Sequence, residues 1–332
     1  MRSKVLFQKE DTYSLRGICM IAIIFHHLYQ WTASKYGVHY PLFLGIIFQN
    51  IGYLATSVFF LISGFGVSTS LGKSKITFKS ACRRIWNLYE PFLFYYIVGL
   101  VICVTTDRIS FPNILTGLLT FDLPVIGGGK WFVISIFGFY ICEIVLYSLR
   151  LTPYQILLFI WGITCFYIGI QILFLKFPLF WYNSLLAFPL GVTCAIRNNK
   201  KISATWKNVF FLVSLFLIFF SFSLFSAKVN VTYLNSGSCR AIIENIACVS
   251  FSLLTILVVS LVNVRNRILR FIGENSFSFF LAHLVLITFA NIIPNASIYI
   301  IFVLVNTFVM TFIYIFIKKR VKCLLDAYCC YF

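Results

Sequence analysis

Charge is what this 332-residue chain has least of: 11% of its residues are Asp, Glu, Lys or Arg, against 61% hydrophobic and 19% aromatic. A soluble domain carries roughly 25% charged residues, so the composition excludes one and leaves a polytopic membrane protein. Carboxylates number nine and histidines four, and no His/Asp/Glu cluster has ligand spacing, so no metal is expected. The eleven cysteines include no Cys-x-x-Cys, and most fall inside apolar runs, where cysteine fills space as a small hydrophobe. Gly127-Gly128-Gly129 lacks the lysine-serine end of a phosphate loop. No cleavable signal is expected, because the first apolar run contains Arg16, His26 and His27 and lacks a small-residue cleavage site. Internal repeats and low-complexity tracts are absent too. The net charge of +18 does not point to nucleic acid, since the basic residues lie between apolar runs and not on one patch.

What is present is a series of apolar stretches about 20 residues long. They predict ten transmembrane helices near residues 15–34, 43–71, 88–106, 131–149, 154–174, 178–196, 207–227, 240–262, 275–293 and 297–317. Between the third and fourth, residues 111–121 are apolar but too short to span, which predicts an interfacial or re-entrant piece. Ten spans place 21 of the 27 Lys and Arg residues on one side and six on the other. By the positive-inside rule the rich side is cytoplasmic and holds both termini. The expected fold is all-α, one membrane helix bundle over residues 1–332.

The first span carries the oddest residues. At about 100° per residue, the eleven steps from Arg16 to His27 bring them within about 20° of one face, roughly 16 Å apart along the axis. His26 points some 80–100° away. Ionisable groups in an apolar helix are costly and normally face a polar interior, so Arg16 and His27 read as a site. His283 in the ninth span lies at a similar depth, with Ser276 seven residues earlier on the same face. The plainer explanation is a pair of histidines hydrogen-bonded across helices as packing. Glu143 has no local basic neighbour and is a candidate partner for a buried His or Arg, whereas Glu244 has Arg240 four residues before it. Lys73, Lys75, Lys79, Arg83 and Arg84 satisfy the topology rule, and Arg83 and Arg84 also suit phosphate. With Arg16 and Arg84 both at the inner boundary, one phosphorylated ligand could touch both. His39 falls in an outer loop, as do Asn230-Val231-Thr232 and Asn295-Ala296-Ser297, triplets that arise often by chance.

At these residues the chain resembles the acyltransferase 3 family of integral membrane acyltransferases, which includes O-acetyltransferases of bacterial surface polysaccharides. Leu15-Arg16-Gly17-Ile18 followed by His27 is similar to the family's Arg-x10-His helix. Phe59-Phe60-Leu61-Ile62-Ser63-Gly64-Phe65 resembles its FFxxSGF/Y segment, Arg83-Arg84 before Pro91 its basic run, and Trp131-Phe132 its WF signature. Phe271-Ile272-Gly273-Glu274-Asn275-Ser276 with His283 resembles its late G-x-x-S…H helix. The matches run in order from residue 15 to about 285. One departure is Asn87, where the family often has a further arginine.

The resemblance implies transfer of an acyl group, acetyl in the first instance, from a cytoplasmic coenzyme A thioester (acetyl-CoA) to an acceptor hydroxyl on a cell-surface glycan or lipid-linked sugar. The implied location is the plasma membrane of a bacterium, and no nucleic acid is a partner. His27 would act as general base or transient acyl carrier. Arg16 and Arg84, with Arg83, would hold donor phosphates, and Glu143, Ser276 and His283 would orient groups or move protons. Two other readings fit the residues. One is a secondary transporter or lipid-linked glycan flippase with a His/Glu proton relay; the other is a non-catalytic scaffold.

Overall fold

The computed structural model describes residues 9–72, 77–104, 111–123, 130–175, 177–197, 206–228, 237–262 and 264–329. Twelve α-helices account for most of them: α1 (Lys9–Tyr36), α2 (Leu42–Gly72), α3 (Phe78–Val104), α4 (Phe111–Thr120), α5 (Lys130–Ser148), α6 (Pro153–Ile170), α7 (Ala187–Ile196), α8 (Trp206–Lys228), α9 (Gly237–Leu261), α10 (Arg267–Glu274), α11 (Ser276–Ile287) and α12 (Ala296–Cys329). The all-α expectation stands. Among the described residues, seven helices are long and apolar enough to cross a membrane, or eight if the bent pair Arg267–Glu274 and Ser276–Asn291 is one span. That is fewer than the ten spans expected from apolarity. Helix α1 is outside the set although its 28 residues reach about 42 Å; His26, His27 and Gln30 dilute its apolarity.

Several boundaries differ for local reasons. Helix α3 begins ten residues before its expected start, because Thr77 and Ser80 cap it reciprocally (Ser80 N to Thr77 Oγ1 3.2 Å, Thr77 N to Ser80 Oγ 3.1 Å). Arg83 and Arg84 are therefore helical, not in a loop. Helix α12 runs to Cys329, since Lys318 to Leu325 contains no Gly or Pro to stop it. A span-seeking reading stops at the first lysine. The expected helix over 178–196 is corrected to a 3₁₀ turn, Leu179–Trp181, and the ten-residue α7. Residues 73–76 of the basic stretch, Gly127–Gly129 and the Asn230 triplet lie outside the described residues. Asn295 caps α12, its Oδ1 accepting from Ser297 N at 2.9 Å and Ile298 N at 3.1 Å.

The chain divides into two compact units. The first comprises residues 1–23, 50–83 and 135–274. Here the inner part of α2 is buried from Leu54 to Ser63, and it crosses α7 with a glycine on each side: Gly64 against the Phe188 carbonyl and Gly191 against the Leu61 carbonyl. Small residues let membrane helices approach this closely. Phe188 and Phe139 of α5 stack at 4.1 Å. Helices α8 and α9 pair through Val209, Leu212 and Leu257.

The broken segment ahead of α7 is held by polar groups of α9. Asn245 donates to the carbonyls of Tyr182 (2.8 Å) and Ala241 (2.9 Å), while its Oδ1 accepts from Leu186 N at 3.4 Å. Glu244 makes the expected i,i+4 pair with Arg240 (2.9 Å) and also accepts from Asn183 at 2.9 Å. Irregular backbone survives at membrane depth only where protein supplies the missing hydrogen bonds.

The second unit comprises residues 24–49, 84–134 and 275–332. In it α4 doubles back along α3. Gly117 lies against the Tyr96 hydroxyl, and Phe121, at φ 54°, meets Phe92 at 5.2 Å and Tyr89 at 6.1 Å. Position thus rises along α4 as it falls along α3, so the two run antiparallel. Asp122 closes its end on Lys130 at 2.8 Å.

Candidate active site

Within the second unit, α1 and α11 bring two histidines together. Helix α11 opens at Ser276, so the whole stretch from Ser276 to His283 is one helix, and both residues are buried (9% and 0% exposed). Ser278 shares a hydrogen bond with Tyr95 of α3 at 2.7 Å, tying α11 to its neighbour. His283 reaches half-buried His27, whose Nδ1 stands 2.8 Å from His283 Nε2. The rings lie 5.1 Å apart and 18° from parallel.

The tautomers follow from a third group. His283 Nδ1 is 3.1 Å from the carbonyl oxygen of Phe279, and a carbonyl only accepts, so Nδ1 carries the hydrogen. A neutral His283 then offers a lone pair at Nε2, and His27 Nδ1 must be the donor to it. His27 Nε2 is left with the free lone pair of the chain.

His26 has a different role. Its Nδ1 donates to the Phe48 carbonyl at 2.6 Å, joining α1 to α2, so the two neighbouring histidines divide between packing and the His283 pair. Phe280 stands edge-on to His283 at 5.5 Å, and Phe132 lies 4.9 Å from Phe280. These rings wall the pair with apolar surface.

Half-buried Arg84 also belongs to this unit, and its buried Nε has no hydrogen-bond partner among the described residues. Glu90, six residues further along α3, is taken by Lys318 (2.8 Å) and Tyr314 (3.4 Å). Asn87 is exposed, as is Arg83.

In the first unit the start of α1 is fastened by ion pairs that leave Arg16 out. Arg265 binds Asp11 at 2.8 Å and Glu10 at 3.4 Å, and Arg270 binds Glu10 at 3.5 Å and Glu274 at 2.9 Å. The hydrogen bond that Arg265 donates to Asp11 holds the guanidinium pKa above its ordinary value. Backbone contact is equally close: Gly17 lies on the Leu269 carbonyl, and Gly273 on the Tyr13 carbonyl. Arg16, half-buried between these contacts, has a buried Nε without a partner among the described residues. None of the seven ion pairs among the described residues uses Arg16, Arg83 or Arg84. Guanidinium groups left without a carboxylate are suited to an anionic ligand.

Glu143 of α5 is fully buried (0% exposed), and neither carboxylate oxygen has a hydrogen-bond partner among the described residues. The expected pairing with a buried histidine or arginine is not made there. His39 is exposed in its loop. No group of three His, Cys, Asp or Glu side chains among the described residues could hold a metal ion.

Sequence reasoning missed the Phe279 carbonyl, which sets the tautomers, and the Tyr95–Ser278 tie. The first was open to view, because a histidine can bond the carbonyl four residues before it on its own helix. The second has no signal beyond a tyrosine in an apolar helix.

No curated protein and no solved structure matches the chain. A family model described as an acyltransferase domain matches residues 14–318, nearly the whole length. With its apolar helices, this makes the protein a multi-pass integral membrane protein that belongs to the acyltransferase 3 family.

Proposed function

We propose that this acyltransferase moves an acetyl group from cytoplasmic acetyl-CoA to a hydroxyl of a cell-surface glycan or its lipid-linked precursor, in the plasma membrane of a bacterium. The observation that carries the reading is the hydrogen-bond chain from Phe279 O through His283 to His27, which leaves one basic nitrogen, His27 Nε2, unused.

In this reading His27 Nε2 takes the proton of the acceptor hydroxyl as its oxygen attacks the thioester carbonyl. The C–O bond forms, the C–S bond breaks, and coenzyme A leaves as a thiolate. The proton waits on the histidine pair, because the Phe279 carbonyl holds the other end of the chain as acceptor only. Passing it to the thiolate restores His27 for the next turnover. His283 keeps His27 in the tautomer that presents Nε2, as orienting groups do for catalytic imidazoles generally. Ser276, on the same helix, and Glu143 are candidates for orienting groups or moving protons. Arg16 and Arg84, with Arg83, are the donor-binding candidates, each free of a carboxylate among the described residues and suited to a phosphate.

The test is acetyl transfer by membranes holding the parent or His27→Ala, supplied with radiolabelled acetyl-CoA and de-O-acetylated surface polysaccharide. General-base catalysis contributes about 10²–10⁴-fold, so transfer should fall by that order. Undiminished transfer in His27→Ala refutes the role of His27. Neutralising Arg16 or Arg84 to Gln should weaken acetyl-CoA binding; unchanged affinity refutes the donor assignment.

A further inference from the structure

Within the second unit, residues 24–36 of α1 and 42–49 of α2 form an antiparallel hairpin. Tyr29 faces Gly45, with its hydroxyl 3.4 Å from where a Cβ would stand there, and His26 bonds the Phe48 carbonyl. Each step outward on α1 therefore matches one step back on α2. The rings of Tyr29, Tyr40 and Phe48, within 4.9–6.3 Å of one another, fill the seam.

Three polar residues of this hairpin share a side with His27, while Thr32 turns the other way and bonds the Tyr40 hydroxyl. Taking the direction between His26 and Tyr29 as the one facing α2, Gln30 lies about 70°, Ser34 about 110° and His27 about 130° round the wheel in the same sense. On α2, Gln49 lies about 70° beyond the Gly45–Phe48 direction. Because the helices run oppositely, equal rotation in chain sense carries Gln30 and Gln49 to the same side of the hairpin, the side of His27. By the matched register Gln49 lies within about a turn of His27 in height. Gln30 and Ser34 then follow at roughly one-turn steps towards the outer ends of the helices.

Gln30, Ser34 and Gln49 are all exposed. Lone amides turned towards hydrocarbon are costly, so such a track faces something polar. It carries no charged side chain, which disfavours a phosphate or carboxylate as occupant. Each amide both donates and accepts, matching the paired hydroxyls of a sugar.

We infer that the Gln49–His27–Gln30–Ser34 side of the α1–α2 hairpin is the acceptor subsite, taking a neutral saccharide from the outer end and bringing one hydroxyl to His27. The inference rests on the acyltransferase reading proposed above. Gln49 fixes the ring that carries the reacting hydroxyl, and Gln30 the portion of sugar further out.

The experiment substitutes Gln30→Met and Gln49→Met, which keep side-chain length and remove the amide. Initial rates of acetyl transfer are measured against varied de-O-acetylated surface polysaccharide and, separately, varied acetyl-CoA. Monodisperse elution in detergent certifies folding. The expected result is a rise of about tenfold in the polysaccharide KM, the scale of a lost hydrogen bond to substrate, with the acetyl-CoA KM within about twofold of the parent. Unchanged polysaccharide KM in both variants, or a parallel rise in both constants, overturns the subsite while leaving the enzyme reading intact. A parent that transfers no acetyl group overturns the acetyl-transfer reading, a fully active His27→Ala removes His27 from the reaction, and the subsite falls with either.

Discussion

Nδ1 of His27 and Nε2 of His283, 256 residues apart in the chain, stand 2.8 Å from each other. Two imidazoles at that distance cannot both be protonated at the facing nitrogens without repulsion, so one must accept. The Phe279 carbonyl decides that it is His283. If His283 works by holding this tautomer, a residue that still offers an acceptor should preserve part of its effect. His283→Gln is expected to retain more acetyl transfer than His283→Ala, with the alanine variant reduced by at least about tenfold, the low end of what an aligned acid–base partner contributes. Initial rates with saturating donor measure it. Equal rates for the two variants would show that His283 only fills space.

The α1–α10 junction is testable through its glycines. A methyl at Gly273 falls on the Tyr13 carbonyl and one at Gly17 on the Leu269 carbonyl, whereas a methyl at Gly138 or Gly162 meets nothing within 4 Å. The first two sites face backbone, which cannot rotate aside. Gly273→Ala and Gly17→Ala should each lower the thermal midpoint in detergent, by an overpacking cost of about 1–3 kcal/mol or more. Gly138→Ala and Gly162→Ala should leave it near the parent value or raise it. A parent-like midpoint for Gly273→Ala would contradict the close approach of α1 and α10.

The low charge of the chain, 11%, carries the membrane class, and apolar runs about 20 residues long carry the all-α one. Helix interiors were legible wherever an apolar run was continuous, as in α2, α5 and α8. Ends were not. Apolarity marks where a helix can sit in hydrocarbon, while capping and propensity decide where it stops, so α3 starts early at the Thr77–Ser80 cap and α12 runs on past Lys318. The failure at 178–196 has another origin. Leu179 to Ile196 is apolar enough for one helix, but Asn183, Ser184 and Pro178 favour turns, and a polar clamp 60 residues away on α9 satisfies the opened backbone. No local pattern encodes that compensation. At the site, wheel geometry separated His27 from His26 because ring direction on a helix is periodic. The 2.8 Å contact with His283 is a tertiary fact that depth counting only approached. Glu143 was legible as an embedded carboxylate, but not its lack of a hydrogen-bond partner.

The clamp at the broken segment gives a prediction of its own. Asn245 satisfies the carbonyls of Tyr182 and Ala241 and the amide of Leu186 at once. Asn245→Leu keeps the volume and leaves these backbone groups without their partner. Orphaned buried polar groups cost about 1–3 kcal/mol each, so the variant should show a clearly lowered thermal midpoint and faster proteolysis near residue 182. Asn245→Gln, which keeps the amide but displaces it, should fall between. A leucine variant as stable as the parent would mean that the α9 amide is not what holds the segment.

Glu143 separates stability from function most sharply. A carboxylate at 0% exposure with both oxygens unpartnered among the described residues gains nothing from the fold in return for its desolvation. Removing the ionisable group while keeping the shape should therefore cost no stability. Glu143→Gln is expected to match or exceed the parent in thermal midpoint. If Glu143 takes part in proton movement, the same substitution should lower acetyl transfer by about tenfold or more, because an amide holds its protons. The two measurements on one variant then point in opposite directions, the mark of a group kept for chemistry at the expense of packing. Full activity in Glu143→Gln would remove Glu143 from the catalytic set, and a large loss of stability would reveal a structural partner that the buried carboxylate needs.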